Sequence, residues 1–565
     1  MKFIYDRNKT AVIFGDREYS YKEIIKGIKY YSTLLKESGK VVVTMENRPE
    51  MICSIFSIWD KKETAIVLDS GYTGEQFAYA FSDSEPRYIF TSKKVYERVK
   101  EGVELSKQNI DIIIVDDIEI PENFVPENYE VEIDDMERVA LLLYTSGTTG
   151  NPKGVVLTFN NLESNIRAVR EIELVNDQDR VLAILPYHHI LPLNLTLLMP
   201  MYFGTFLVIL EELSSEALKL ALKKHQISVI IGVPRVWEML HKAIMGKINS
   251  NFVAKKLFNL CKKVNSLALS KKVFKKVADE LGGNMRVLVS GGAKLDPEVS
   301  ANFKVLGLPI IEGYGLTETS PIIAFNRPNN NVIGSAGQLI PNIEVKIAED
   351  EEILVRGANV MKGYYKNPQA TSEAIDSDGW FHTGDLGKFE GDSLFIIGRK
   401  KEMIVLSNGK NINPGDIESA ILKETDFLSM LAELGVIVLM FTAGLESDIK
   451  ELKSVGKSAF VVATMGVIIP LIGGTVVAYI FNDGSLPNVS AFLQNVFVGA
   501  VLTATSVSIT VETLRELGKM SERSANVILG AAIIDDILGI LVLTVITSMA
   551  DSSVKVGLVL LKIVG

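Results

Sequence analysis

Up to about residue 425 the chain alternates short, wholly apolar runs with longer stretches in which apolar residues recur every three or four positions. The runs at 41–44, 111–115 and 139–144 are rich in valine, isoleucine and leucine, as buried parallel strands require, whereas 21–37 and 214–224 carry a helical period. Such alternation predicts an α/β fold with a largely parallel sheet. From Val332 onward, glycines and other turn residues break the chain into short strands at 343–347, 352–355 and 394–397, which predicts a small β subdomain over about 332–398. Beyond Phe427 the pattern changes again. Apolar segments at 427–445, 459–481, 491–511 and 526–549 each approach the ~20 residues that cross a bilayer, and a fifth is cut off at Gly565. An all-α transmembrane segment of four helices and part of a fifth is expected there.

Composition narrows the function. The 565 residues exceed one ordinary domain, and 69 acidic residues against 59 basic ones leave a net charge of -10. That balance predicts no basic stripe of the kind that tracks a phosphate backbone, so nucleic acid is not an expected partner. Cys53 and Cys261 are too few and too far apart for a disulfide framework or a metal site, which fits a reducing compartment. The opening MKFIYDRNKT lacks the apolar core of a signal peptide. His188 and His189 have no further His, Cys or acid at ligand spacing, which argues against zinc. No internal repeat or low-complexity tract is present.

The strongest local chemical signal is Tyr144-Thr-Ser-Gly-Thr-Thr-Gly-Asn-Pro-Lys-Gly154, read as following a strand and preceding a helix. Its glycines let backbone approach an anion, its N–H groups and hydroxyls donate, and Lys153 adds positive charge. The spacing differs from that of P-loop enzymes. For a lone run of this type, a polar strand-to-helix turn is the favoured reading.

The run is not alone. It resembles the phosphate loop of the adenylate-forming superfamily, which includes acyl-CoA synthetases, luciferases and peptide-synthetase adenylation domains. Further resemblances follow in the family's order: Leu185-Pro-Tyr-His-His189, Ser290-Gly-Gly-Ala-Lys-Leu295, Gly313-Tyr-Gly-Leu-Thr-Glu-Thr319, Gly379-Trp-Phe-His-Thr-Gly-Asp385 and Gly398-Arg-Lys-Lys-Glu-Met-Ile404. The resemblance implies an α/β adenylate-forming large domain over 1–400. It also implies a reaction in which a substrate carboxylate attacks the ATP α-phosphate, and CoA thiolate then captures the acyl-adenylate. Positioning and electrostatic stabilisation carry most of the catalysis in such a transfer.

By the same resemblance, Thr145, Ser146, Gly147, Thr148, Thr149 and Gly150 cradle the terminal phosphates with Lys153. Thr317 contacts the α-phosphate, Glu318 holds Mg²⁺, and His189 belongs to the acid pocket. Gly291, Gly292 and Ala293 run along the adenine, Tyr314 lies against its ring, and Asp385 and Arg399 reach the ribose. A single carboxylate with phosphate oxygens is the ligation Mg²⁺ prefers. Blander readings stand beside these: Tyr314 as core, Asp385 as a turn residue and Arg399 as a surface charge. Ile231-Gly-Val-Pro-Arg-Val-Trp-Glu-Met-Leu240 resembles long-chain fatty acyl-CoA synthetases, so a long-chain fatty acid is the expected substrate, with a packed helix start as the alternative.

Family members continue past a hinge, with Lys401 at the matching position, into a small mobile domain that bears a further catalytic lysine. Here the resemblance fades after Lys423, so 401–425 reads as the hinge and the truncated start of that domain. Loss of one positioned cation lowers a rate by roughly 100- to 1,000-fold, so impaired activity is expected.

The last 140 residues or so resemble part of the bacterial sodium/proton (monovalent cation/proton) antiporters, on Glu433-Leu-Gly-Val-Ile-Val-Leu-Met-Phe-Thr-Ala-Gly-Leu-Glu446, Thr503-Ala-Thr-Ser-Val-Ser508 and Gly530-Ala-Ala-Ile-Ile-Asp-Asp-Ile-Leu-Gly539. The resemblance implies Asp536 as the ion-binding carboxylate with Asp535 beside it, and Thr505 and Ser506 at a helix break. A monovalent cation or proton and membrane lipid are the implied partners, and the bacterial inner membrane the location. Lys450, Lys453 and Lys457 read as one cytoplasmic connector and Arg515, Lys519 and Arg523 as another. A first span at 427–445 would then put residues 1–425 outside the cell, away from ATP and CoA. The expectation is two unrelated fragments joined near 423–427: an acid-activating enzyme fused to an incomplete antiporter, with an antiporter alone or an inactive chimera as the alternatives.

Overall fold

The computed structural model describes residues 1–145, 152–211, 214–401, 404–405, 411–412, 449–481 and 491–503, with single positions and short pairs between 527 and 546. It divides into two compact units, Met1–Pro414 and Gly415–Gly565.

In the first unit the apolar runs form the centres of two large sheets. A seven-stranded sheet has five parallel strands in the spatial order Val139–Thr145, Ala65–Val67, Val41–Thr44, Tyr88–Thr91, Asp111–Ile114. A nine-stranded sheet has a parallel centre running Ile310–Gly315, Val287–Ser290, Val229–Gly232, Arg180–Ala183, Phe206–Ile209, Thr10–Phe14.

Alternate residues on these strands enter different cores, as a period of two dictates. Val41, Val43, Leu141, Leu143, Val229 and Ile231 share one core with helices Tyr21–Leu34, Pro49–Asp60 and Phe159–Glu171. Val42 and Leu142 face the other way, onto Phe77 and Phe81. Leu182, Ile230 and Leu288 meet Leu218, Trp237 and Phe303. The result is five layers, helix and sheet alternating, in which both faces of each sheet are covered. Burying each large apolar side chain contributes about 1.5–3 kcal/mol. The first helix starts at Tyr21 because Ser20 and Glu23 form a reciprocal capping box, the Glu23 N–H reaching Ser20 Oγ at 3.1 Å and the Ser20 N–H reaching Glu23 Oε2 at 2.8 Å.

A four-stranded antiparallel sheet follows, made of Ile343–Ile347, Glu352–Gly357, Phe381–Glu390 and Ser393–Arg399. One local expectation is corrected. The end of the run at 144–154 does not open a helix: Lys153 begins the strand Lys153–Thr158, which pairs antiparallel with Val139–Thr145. The β-branched residues Val155 and Val156 favour this strand, and the helix starts only after Thr158 caps it.

In the second unit, helix Ile449–Phe481 contains one stretch, Gly456–Ile480, long and apolar enough to cross a membrane, followed by the shorter helix Ala491–Val501. Lys450 and Lys453 precede that stretch on the same continuous helix, and Lys457 stands at its start. The polar segment 449–457 contains no proline, and its one glycine does not stop the helix, so the backbone ladder continues past the end of the apolar run. Residues 427–445, Thr505, Ser506 and Asp536 lie outside the described residues. Asp535 is described and buried, and Gly466 on the long helix is beside its carboxylate.

Candidate active site

Parallel strands carry their ligand-binding loops at their carboxyl ends. Here the carboxyl ends of four neighbouring strands of the nine-stranded sheet, those ending at Gly315, Ser290, Gly232 and Ala183, open onto a cavity of about 820 Å³. The facing sheet contributes Tyr144 and Thr145, with Asp69 and Tyr72 from the loop after Ala65–Val67. Val229, Ile231 and Val233 form one row of the cavity wall and Val287 and Val289 another. The cavity therefore runs down the strands, and from Val287 to Gly291 that is about 13 Å at ~3.3 Å per residue. Val169, Leu174, Leu195 and Met199 close the apolar part.

Of the residues named from sequence, Thr145, His189, Gly291, Gly292, Ala293, Tyr314, Thr317 and Arg399 line this cavity. Asp385, Lys153 and Glu318 do not line it but are tied to residues near it. The Tyr314 hydroxyl donates to Asp385 Oδ2 at 2.7 Å, and Arg399 Nε is 3.3 Å from Asp385 Oδ1. Strand register sets this triad, since Asp385 and Arg399 are direct partners across an antiparallel pair. Asp385 is thus a buried strand residue rather than a turn residue. Burial first, and the Asp385 carboxylate second, push the Tyr314 phenol well above its ordinary range, so it stays a hydrogen-bond donor.

Lys153 stands opposite Thr145 in the hairpin, and its ammonium lies 4.9 Å from the centre of the Tyr364 ring. The Tyr364 hydroxyl donates to Glu318 Oε1 at 2.9 Å, so one aromatic residue connects Lys153 to Glu318. Ser146, Gly147, Thr148, Thr149 and Gly150 lie outside the described residues. Lys401 is exposed, just past the strand that ends at Arg399.

Sequence reading missed a set of asparagines that fix the loops. Asn165 Nδ2 donates to the Thr319 carbonyl at 3.3 Å while its Oδ1 accepts the Ile322 N–H at 2.7 Å. Asn194 Nδ2 donates to the Ser320 carbonyl at 2.6 Å and Asn359 Nδ2 to the Ile322 carbonyl at 3.0 Å. Asn47 does the same for the segment before His188 and His189, donating to the Leu185 carbonyl and accepting the Tyr187 N–H. Each amide supplies a hydrogen-bond partner to backbone in a loop or at a strand end.

At the cavity mouth His188 Nε2 and His189 Nε2 are 3.0 Å apart, and His188 Nδ1 is 3.6 Å from Asp69 Oδ1. Burial, then the neighbouring His189, lowers the His188 pKa to about 4 against the opposing pull of Asp69. Burial also lowers that of His189. Both rings are neutral at physiological pH. The buried Ser290 hydroxyl, on the cavity wall where the strand ends, has no hydrogen-bond partner among the described residues.

These motifs and this architecture coincide with a family. The model of the AMP-binding enzyme family matches residues 5–365, and the chain belongs to that family. Residues 405–565 separately match the transmembrane sodium/hydrogen exchanger model. The long-chain-fatty-acid–CoA ligase FadD15 of Mycobacterium bovis is 37% identical over 301 residues, covering 49% of this chain and 49% of that protein. Long-chain-fatty-acid–CoA ligase 1 of Saccharomyces cerevisiae is 35% identical over 308 residues, covering 49% and 44%. The chain thus spans about half the length of such curated relatives. Among solved structures, the O-succinylbenzoate coenzyme A synthetase of Bacillus subtilis with AMP superposes with a TM-score of 0.61 at 23% identity, covering 74% of this chain and 82% of that one. ATP-bound MatB of Rhodopseudomonas palustris gives 0.61 at 22%, covering 73% and 79%. Both show the adenylate-forming fold.

Proposed function

We propose that this chain activates an aliphatic carboxylic acid, of the long-chain fatty class, with ATP and passes the acyl group to CoA. The observation that carries the reading is the shape of the cavity: an apolar trench along the strands that ends at Gly291–Ala293 and Thr317, beside the Tyr314–Asp385–Arg399 triad. The acid's carboxylate oxygen attacks the α-phosphorus, the bond to the bridging oxygen breaks, and pyrophosphate leaves. The CoA thiolate then attacks the acyl carbon and AMP leaves. Thr145 to Gly150 and Lys153 would hold the terminal phosphates and Thr317 the α-phosphate. Asp385 and Arg399 would take the ribose hydroxyls, and Tyr314 would pack on adenine while its hydroxyl orients Asp385.

Glu318, with one oxygen engaged by Tyr364, offers the single-carboxylate ligation that suits Mg²⁺. That ion supplies charge neutralisation on the phosphate oxygens. Residues 1–400 form the adenylation domain in this reading, and 401–425 the hinge around Lys401. The absence of a matching mobile domain after the hinge lowers the rate of both half-reactions.

The test is ATP–pyrophosphate exchange by the detergent-solubilised chain with a series of acids of increasing length. Each added methylene buries about 0.8 kcal/mol, which lowers KM roughly fourfold until the trench is full. Exchange is expected to vanish in Glu318→Ala. Exchange that is indifferent to acid length would remove the fatty-acid assignment.

A second activity is supported by the exchanger match, the Gly456–Ile480 helix and the buried Asp535: residues 426–565 as a multi-pass membrane unit in the inner membrane that binds a monovalent cation or proton at Asp535 and Asp536, with Thr505 and Ser506 at the break. The test is cation flux in proteoliposomes: a pH-dependent flux abolished by Asp536→Asn would assign transport to this unit. No flux would leave this unit as an anchor only.

A further inference from the structure

The overall negative charge conceals a local excess of the opposite sign. Residues 251–280 carry eight lysines, Lys255, Lys256, Lys262, Lys263, Lys271, Lys272, Lys275 and Lys276, against only Asp279 and Glu280. They lie on three consecutive helices, Phe252–Val264, Leu267–Val273 and Lys275–Glu280, and all eight are exposed. Among the described residues the one ion pair here joins Lys247 to Glu280, and none of the eight lysines meets a carboxylate.

The first of these helices has three faces. Phe258 and Cys261 point inward, into a core with Ile248, Phe274 and Leu306. Val253, Leu257, Leu260 and Val264, spaced four, three and four residues apart, form a continuous apolar strip that faces solvent; Val253 is 63% exposed, Leu260 50% and Val264 51%. Phe252, 71% exposed, extends the strip at the N-terminal end, with the Lys256 ammonium 4.7 Å from its ring centre. Lys256 and Lys263 run along one side of the strip, whereas Lys255 and Lys262 lie on the opposite side of the helix. Lysines in the last turn of a helix favourably meet its dipole, which accounts for Lys262, Lys263, Lys271 and Lys272 individually. It accounts neither for the other four nor for an uncovered row of valine and leucine among them.

We infer that helix Phe252–Val264, with the lysines of the two helices after it, is a docking surface for an anionic lipid bilayer, the apolar strip entering the headgroup boundary and the lysines meeting phosphate headgroups. Charge complementarity selects the occupant. A nucleic acid would take the lysines and leave the strip wet, whereas the boundary of an anionic membrane takes both. Docking would bring the cavity to the phase in which long-chain acids partition, a benefit that rests on the proposed function. The docking itself rests on the surface alone, and its test reads depth rather than ligation, so the two ideas fail separately.

The experiment uses the full chain in nanodiscs of phosphatidylcholine with or without phosphatidylglycerol. Leu260→Cys is labelled with an environment-sensitive fluorophore, and Val125→Cys, at an exposed position elsewhere on the same unit, serves as the control; Cys53 and Cys261 are both buried. The expected result is blue-shifted emission from position 260 that doxyl lipids quench only in phosphatidylglycerol discs, with position 125 unquenched. Replacing Lys256 and Lys263 by Gln should weaken this association about fivefold per lysine. Quenching that is absent in both disc types, equal in both, or equal at 260 and 125 would overturn the inference. So would disulfide cross-linking of the Leu260→Cys variant between two copies, which would assign the strip to self-association.

Discussion

Asn165→Leu tests whether buried amides hold the loop from Thr317 to Ile322. The side chain is fully buried on helix Phe159–Glu171 and bridges the Thr319 carbonyl and the Ile322 N–H, at 3.3 and 2.7 Å. Leucine has nearly the same shape but no polar atoms, so both backbone groups lose their partner in the interior. An unsatisfied buried group costs about 1–3 kcal/mol, and the added apolar burial offsets about 1 kcal/mol of the pair, leaving a net loss of about 3 kcal/mol. The chain's three tryptophans, Trp59, Trp237 and Trp380, all lie in the Met1–Pro414 unit, so their fluorescence in urea follows that unit even when the second is present. With an m-value of about 3 kcal/mol/M, the midpoint should fall by about 1 M. The displaced Thr317 and Glu318 should cost about 100-fold in ATP–pyrophosphate exchange, the usual cost of an ångström-scale misplacement. A midpoint unchanged by the substitution, together with undiminished exchange, would refute the clamp.

Three further outcomes are expected. A Cβ at Gly315 would lie 1.7 Å from the Pro321 carbonyl oxygen, backbone that cannot yield, so Gly315→Ala should abolish exchange and ATP-analogue binding, as isothermal titration would show. Tyr364→Phe removes the hydroxyl that donates to Glu318 and should lower exchange about tenfold, with a higher Mg²⁺ requirement; an unchanged metal dependence would detach Tyr364 from the site. The His188 pKa of about 4 lies below its ordinary 6.5, so the folded state resists protonation. The sign follows: its contribution is complete above pH 6.5 and is lost as pH falls from there toward 4, by roughly 3 kcal/mol at most. Urea midpoints of the parent should therefore drop more steeply over that window than those of His188→Asn, and identical slopes would count against the assignment.

What can be read from sequence is what is contiguous in it. The valines at 41–44 announce a strand buried on both faces because side-chain chemistry and period agree locally. The Gly313–Thr319 run is recognisable because one strand end carries its whole contribution to the cavity. Partners brought together by sheet order leave no such signal: Asn165 and Thr319 are 154 positions apart, and Tyr364 and Glu318 are 46 apart. Nothing near Asn165 distinguishes it from a solvent-facing asparagine until helix Phe159–Glu171 packs against the loop after Gly315. The strand Lys153–Thr158 escapes sequence reading for a different reason. Residues 155–158 form an apolar run too short for its period to discriminate strand from helix, and only pairing with Val139–Thr145 decides it. The lysine cluster shows the same limit for charge. A sum over the chain reports -10, yet three consecutive helices carry eight exposed lysines, two of them along one side of an exposed apolar strip. The field a partner meets is set by that local arrangement, because charges more than about 10 Å away are screened at ordinary ionic strength.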